Sequence, residues 1–491
     1  MLKKSSNNEI KNLVLESLES TTGHGIPNLV RNKSWPIKIL WFICLSLSTG
    51  YCVYNLTKSI VDYFSFSAVT KVSYERLDSI EFPTVTFCNK NPFLVRKPNS
   101  QNNMEENLKN QSKDFFDSLL KLNASESSLE SFTRFGYSYS YNTLQYKKYL
   151  TRVSFSIDDM LISCRFNNFK CTKDDFKVMF VAGLGNCYKF NGATKTGIEK
   201  TTIPGQKNGL MLELFSGYPN EEYDLIRSSG IQLFIHNSST IPFVEFDAIN
   251  LPTGFETDIW ISKQHVSKLP SPFSNCIQNI FSLDSFDSYL YEKCVNLLDR
   301  YQQKTCLLLC YHEYVKQQCG CYSPDAFNIT FNQACENTNS MAIGCVFEAY
   351  AKFHQTGESS KCSHLCPIEC NSDNYNFRTF LADFPTPFYA KVLIEHGKIN
   401  PNLVRNFTTF QNVKDSVLAV NVFYNDISLN VIKEYPAKTF EQLVAEIGGF
   451  LGLCVGISLL SVVEIFELIF KIIIIKSNYK RSNEQNKVLP F

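Results

Sequence analysis

Four carboxylates, Glu441, Glu446, Glu464 and Glu467, and the ammonium of Lys471 lie within an apolar stretch that runs from Phe440 to Lys476. Ionisable groups at membrane depth cost several kcal/mol unless they face protein or water, so by default they mark a pathway. Gly456-Ile457-Ser458 sits among them. The backbone carbonyls of such a small-x-small tripeptide, with the Ser458 hydroxyl, would form a ring of oxygens if several copies surrounded one axis. Glu464, Glu467 and Lys471 follow an i, i+3, i+7 spacing and share one helical face below that ring. The chemistry implied is the passage of a cation, with no catalytic residue, no metal site and no cofactor beyond the transported ion. The plainer alternative is a packing anchor with interfacial charges, and this stretch alone leaves both readings open.

The element that carries these groups is too long for a simple anchor. As a straight helix its 37 residues would span about 55 Å against a hydrocarbon core of about 30 Å, so it must tilt, break or protrude. Gly456-Ile457-Ser458 is the natural breaking point, and Gly448, Gly449, Gly452 and Gly456 are expected to allow close helix approach and local unwinding. A second apolar run, Ile37 to about Val61, begins near Trp35 and Trp41, the residue type that marks a membrane interface. Lys3, Lys4, Lys11, Arg31, Lys33 and Lys38 precede it, and Lys476, Lys480, Arg481 and Lys487 follow the last run, so both ends read as cytoplasmic. The polar residues ahead of the first run lack a signal peptide's layout. Gly23-His24-Gly25 in isolation is a turn; beside a membrane entry point it would suit a re-entrant loop lining a cavity.

Between the runs the chain reads as extracellular. Of its 18 cysteines, Cys44, Cys52 and Cys454 lie in hydrophobic spans, which leaves 15 for the middle of the chain and implies an oxidising compartment. Sequons at Asn110, Asn123, Asn237, Asn328 and Asn406 agree with exposure to the glycosylation machinery. A net charge of +1 with 19% charged residues gives no nucleic-acid bias. Strand patterns at Phe82–Cys88, Lys177–Ala182, Ile231–Ile235, Phe243–Phe246 and Ser416–Tyr424, with helical patterns at Met104–Lys121, Asp299–Gln318 and Pro387–Glu395, predict an α+β domain with a central sheet. Lys97–Ser128 reads as a variable peripheral lobe. In the block Cys306–Cys370, Cys306 and Cys310 share a helical face and Cys362, Cys366 and Cys370 repeat every four residues, as rungs of a disulfide ladder would. A zinc site including His364 is the competing reading of that block.

Gly23-His24-Gly25, the Phe82–Asn89 stretch, the spacing Cys306, Cys310, Cys319, Cys321, and the run Gly448-Gly449 to Gly456-Ile457-Ser458 to Glu464 together resemble the degenerin/epithelial sodium channel/acid-sensing channel family. The resemblance covers the chain apart from both tails and the Lys97–Ser128 lobe. It implies an amiloride-sensitive sodium channel in the plasma membrane. It also implies a trimer with two homologous subunits, and a hand-like ectodomain with palm, β-ball, finger, thumb and knuckle parts. The implied segments are a cytoplasmic 1–36, a first span 37–61, an extracellular 62–438, a pore-lining 439–475 and a cytoplasmic 476–491.

By position, Gly456-Ile457-Ser458 resembles the family's selectivity tripeptide, His24-Gly25 its gating pair, and Ala445 its small gating position, with Glu446, Glu464 and Glu467 as pore-lining acids. Phe66 and Phe273 fall where family members have a tyrosine and a tryptophan joining thumb to membrane helices. The implied disulfides are Cys88–Cys187, Cys164–Cys171, Cys276–Cys370, Cys306–Cys366, Cys310–Cys362, Cys319–Cys345 and Cys321–Cys335, with Cys294 left over. Acid-sensing members carry a histidine pair where this chain has Ser67 and Ala68, which counts against a proton stimulus. By elimination, and by a general look of the peptide-gated branch, the favoured stimulus is an extracellular amidated neuropeptide of the RFamide type. Proton gating and constitutive opening are the alternatives within the family. Outside it stand a two-span receptor or adhesion protein and an ecto-enzyme, for which Gly183-Leu184-Gly185 is the sole weak phosphate-loop candidate.

Overall fold

The computed structural model describes residues 2–21, 23, 25–91, 155–181, 183–192, 198–217, 228–238, 240, 247–324, 326, 333–335, 340–355, 357–396, 399 and 409–485. The expected helix Met104–Lys121, the strand Phe243–Phe246 and the lobe Lys97–Ser128 lie outside them, as do His24, Asn110, Asn123, Asn328 and Asn406. The chain divides into two compact units, one of Met1–Thr70 with Glu434–Phe491 and one of Lys71–Lys433.

The first unit is helical. Its segments are Leu2–Ser20, Ile26–Arg31, Trp35–Phe64, Phe440–Val455 and Leu459–Gln485. By length and composition Trp35–Phe64 is sufficient to cross a membrane alone, whereas Phe440–Val455 and Leu459–Asn478 suffice as a pair bent by 72°. Pro36 near the start of the first long helix suits its first turn, where a missing N–H costs nothing.

The second unit is α+β and rich in disulfides. Its strands are β1 (Ala68–Arg76), β2 (Ile80–Glu81), β3 (Thr84–Asn89), β4 (Leu161–Phe166), β5 (Phe169–Lys170), β6 (Phe176–Val181), β7 (Gly185–Phe190), β8 (Lys200–Thr201), β9 (Leu210–Phe215), β10 (Ile231–His236), β11 (Ala248–Leu251), β12 (Phe255–Ser267), β13 (Asn371–Asp383) and β14 (Val417–Pro436). One mixed sheet runs β13-β12-β14-β9-β4-β5 with β1 on β14; a second runs β11-β10-β3-β7-β6. The β12–β14 pair is parallel and the β12–β13 pair antiparallel. β3 is buried along its whole length because it lies inside its sheet, between β10 and β7. Phe82, Phe166, Phe190 and Tyr424 meet edge-on or tilted in the core that joins the two sheets, with Phe82 and Phe166 at 4.9 Å.

Helices Gln303–Cys319 and Glu358–Leu365 are tied by Cys306–Cys366 and Cys310–Cys362, the rungs that the four-residue spacings suggested. Cys319–Cys345, Cys321–Cys335, Cys276–Cys370, Cys164–Cys171 and Cys88–Cys187 complete the bonded set. Cys294 is free and fully buried against Tyr291, Tyr301 and Cys306 in a separate small core.

Several element bounds shift, among them the strand read from Phe82, which begins at Thr84. The helix read from Asp299 begins at Gln303, because Asp299 takes a left-handed φ of 57° and closes the preceding helix Tyr289–Leu298. The strand read as Ser416–Tyr424 runs from Val417 to Pro436, past Asn425-Asp426, residue types that favour turns.

Candidate functional site

The second apolar run breaks at the tripeptide, and local hydrogen bonds specify how. Helix Phe440–Val455 starts at Thr439, whose side chain accepts from the Gln442 N–H while the Gln442 side chain accepts from the Thr439 N–H. It ends at Gly456, which sits at φ 72° in the left-handed region that a side chain resists. The Gly456 N–H donates to the Gly452 carbonyl at 3.1 Å and the Ile457 N–H to the Leu451 carbonyl at 3.2 Å, the paired closure of a glycine-terminated helix. The next helix opens on Ser458 in the same way as Thr439. The Ser458 N–H donates to the Ser461 hydroxyl at 3.0 Å and the Ser461 N–H to the Ser458 hydroxyl at 3.4 Å. Gly456, Ile457 and Ser458 thus lie outside both helices.

The first long helix presents one polar face to this element. Ser48 donates to the Cys454 carbonyl at 2.7 Å, the Cys52 thiol lies 3.6 Å from the Phe450 carbonyl, and Ser59 donates to the Glu446 carboxylate. Lys438, one residue before the helix cap, places its ammonium 2.7 Å from the same Glu446 oxygen and 3.1 Å from the Ser59 hydroxyl. None of Ser48, Ser59 and Lys438 stood out in the sequence. A signal was present for the first two: Ser48, Cys52, Asn55 and Ser59 recur at i, i+4, i+7, i+11 in an otherwise apolar run.

The remaining expected site residues fall as follows. Ala445 is exposed within the chain. A Cβ added at Gly448, Gly449 or Gly452 meets nothing within 4 Å, so close approach to the chain's own first helix is not what these glycines serve. Gly25 is different: it is buried at φ 86°, and an added Cβ would come within 3.2 Å of Leu45 and 3.5 Å of Trp41 on the first long helix. Thr21, beside the Gly-His-Gly segment, donates a 3.5 Å hydrogen bond to Glu464, and helix Leu2–Ser20 packs on Leu459–Gln485. Glu467 pairs with Lys471 one turn on at 2.7 Å. Phe66 follows the first helix at φ 48°.

In the disulfide-rich unit a cavity of about 570 Å³ opens on the mixed sheet beside helix Pro387–Glu395, bounded by Arg165, Glu213, Glu256, Asp383, Phe388 and Tyr389. The Tyr389 hydroxyl donates to Glu213 at 2.7 Å, and burial together with that carboxylate holds the phenol well above its ordinary range. The Asn421 amide donates to Glu256 at 2.6 Å and to Asp258 at 2.7 Å. The lining carries three carboxylates against one guanidinium, with aromatic rings at its edge.

A family model described as amiloride-sensitive sodium channel matches residues 17–468. Acid-sensing ion channel 2 of Homo sapiens is 25% identical over 478 residues, 92% of this chain and 85% of that protein. Epithelial sodium channel subunit gamma of Rattus norvegicus is 23% identical over 559 residues, 94% of this chain and 82% of that protein. A proton-activated chloride channel solved by cryo-EM matches at 9% identity over 90% of this chain and 97% of that one, with a TM-score of 0.30.

Proposed function

Because this chain belongs to the amiloride-sensitive sodium channel family, whose members are ion channels and not enzymes, we propose that it is one subunit of a trimeric plasma-membrane sodium channel. Two homologous subunits complete the pore, both termini are cytoplasmic, and sodium is the transported ion rather than a cofactor. The observation that supports the reading most is the break at Gly456-Ile457-Ser458, where a 72° bend takes three residues out of helical geometry at the small-x-small tripeptide. Their carbonyls and the Ser458 hydroxyl are the oxygens that replace the ion's water. Glu464 and Glu467 concentrate cations on one side of the break and Glu446 stands on the other. His24, Gly25 and Ala445 act in gating, and the lack of room for a side chain between Gly25 and the first long helix, with the Thr21–Glu464 hydrogen bond, supports coupling of the N-terminal segment to the pore helix.

The proposed stimulus is an extracellular amidated neuropeptide of the RFamide type. Its support is Ser67-Ala68 in place of a histidine pair, and a carboxylate-rich, aromatic-edged cavity chemically suited to a cationic aromatic peptide. The ligand-facing unit carries the disulfides and is proposed to carry glycans at Asn110, Asn123, Asn237, Asn328 and Asn406, of which Asn237 lies within the described residues. The test is co-expression with sister subunits followed by pulses of acid and then of RFamide peptides under voltage clamp. Peptide-evoked sodium current is expected. Robust acid current with silence to every peptide overturns the stimulus.

A further inference from the structure

We propose that Lys438 is a tethered cation that occupies the Glu446 carboxylate and thereby keeps the mouth of the second span from being a divalent-cation site. The inference rests on reading that span as pore-lining. Glu446 would otherwise be a free carboxylate at an entry, and carboxylate oxygens are the ligands that calcium takes. Here one of its oxygens receives both the Lys438 ammonium, at 2.7 Å, and the Ser59 hydroxyl. The ammonium is the more enclosed partner, with 16% of its side chain exposed against 41% for Glu446, and Ser59 is 3% exposed. Lys438 also reaches the Ser59 hydroxyl at 3.1 Å and the Ser59 carbonyl at 3.5 Å, so three acceptors hold the charge in place. A fixed positive charge a few ångströms from a carboxylate repels a divalent ion about twice as strongly as a monovalent one. A monovalent ion is therefore penalised less than calcium at this mouth, ahead of the tripeptide.

The alternative is that the same contacts only staple the second span to the first. The two differ in what calcium does. In the full-length chain co-expressed with sister subunits, Lys438→Gln, Lys438→Arg and the double variant Lys438→Gln/Glu446→Gln are compared with wild type for block of sodium current by extracellular calcium. Lys438→Gln is expected to lower the half-blocking calcium concentration about tenfold. Lys438→Arg and the double variant should match wild type. Equal block in Lys438→Gln and wild type, or a shift that survives in the double variant, overturns the proposal. If no version conducts, the channel reading has failed instead. The purified proteins in nanodiscs then carry the test, since a calcium-dependent rise in melting temperature is expected for Lys438→Gln alone, and its absence overturns the proposal.

Discussion

The Ser48 hydroxyl donates a 2.7 Å hydrogen bond to the Cys454 carbonyl, in the last turn before the break at Gly456. In an unbroken helix that carbonyl would accept from the Ser458 N–H, but the Ser458 N–H is bonded to the Ser461 hydroxyl. Ser48 therefore supplies the donor that the break removes. Ser48→Ala should cost about 1 kcal/mol by leaving the carbonyl short of a partner, read as a lower melting temperature in detergent. A melting temperature equal to wild type means that water or a re-formed helix satisfies the carbonyl instead.

Among the described residues of its own chain, Ala445 is left exposed. If a large side chain is to disturb the closed state there, the crowding must come from another copy. Ala445→Phe is expected to destabilise the closed packing by about 1–3 kcal/mol and to give a standing sodium current. Surface-biotinylated Ala445→Phe channels without such current would contradict this.

Cys294 is fully buried, its thiol lies 3.5 Å from the Gln302 carbonyl, and burial pushes its pKa up to about 11. At neutral pH it should stay a protonated, unpaired thiol that ignores maleimide until the protein is denatured. Labelling of the native protein, or a mapped bridge from Cys294 to another cysteine of the chain, would refute that.

His236 is a pH-sensitive element of the fold. Its Nδ1 faces the Asn237 carbonyl at 2.8 Å, so the proton sits there and Nε2 accepts from the Thr86 hydroxyl at 2.9 Å. Burial lowers its pKa to about 4. The folded state thus resists protonation while the unfolded chain accepts it below the ordinary value, so stability falls as pH drops from about 6.5 toward about 4. At pH 5 the loss should be about 2 kcal/mol. Thermal melts should show a smaller drop between pH 7.5 and pH 5 in His236→Gln than in wild type, and equal drops would exclude the assignment.

How much of this could be read from the residues depended on what enforces each element. The break was legible because Gly-Ile-Ser interrupts an apolar run too long for the bilayer. Helix Pro387–Glu395 was legible because Pro387 stands at its first turn behind Thr386, whose side chain accepts from the Tyr389 N–H. β13 was not, since it is a largely exposed edge strand that owes its conformation to thirteen paired positions on β12. β12 did carry a signal, with Thr257, Ile259 and Ile261 buried at every second position, but its charged residues masked it. The cysteine pairing came from the family resemblance, and spacing alone leaves many connectivities open. Lys438 was invisible because it meets Glu446 eight residues away across the helix cap and owes its seat to Ser59 on another helix.

The most direct test of the central claim is the reversal potential of amiloride-sensitive current in cells co-expressing this chain with sister subunits, for wild type and for Ser458→Cys. The account predicts a wild-type reversal near the sodium equilibrium potential, and a shift toward the potassium equilibrium potential in Ser458→Cys because the oxygen ring has lost a hydroxyl. An unchanged reversal potential in a conducting Ser458→Cys channel, or no amiloride-sensitive sodium current from the wild type, would contradict it.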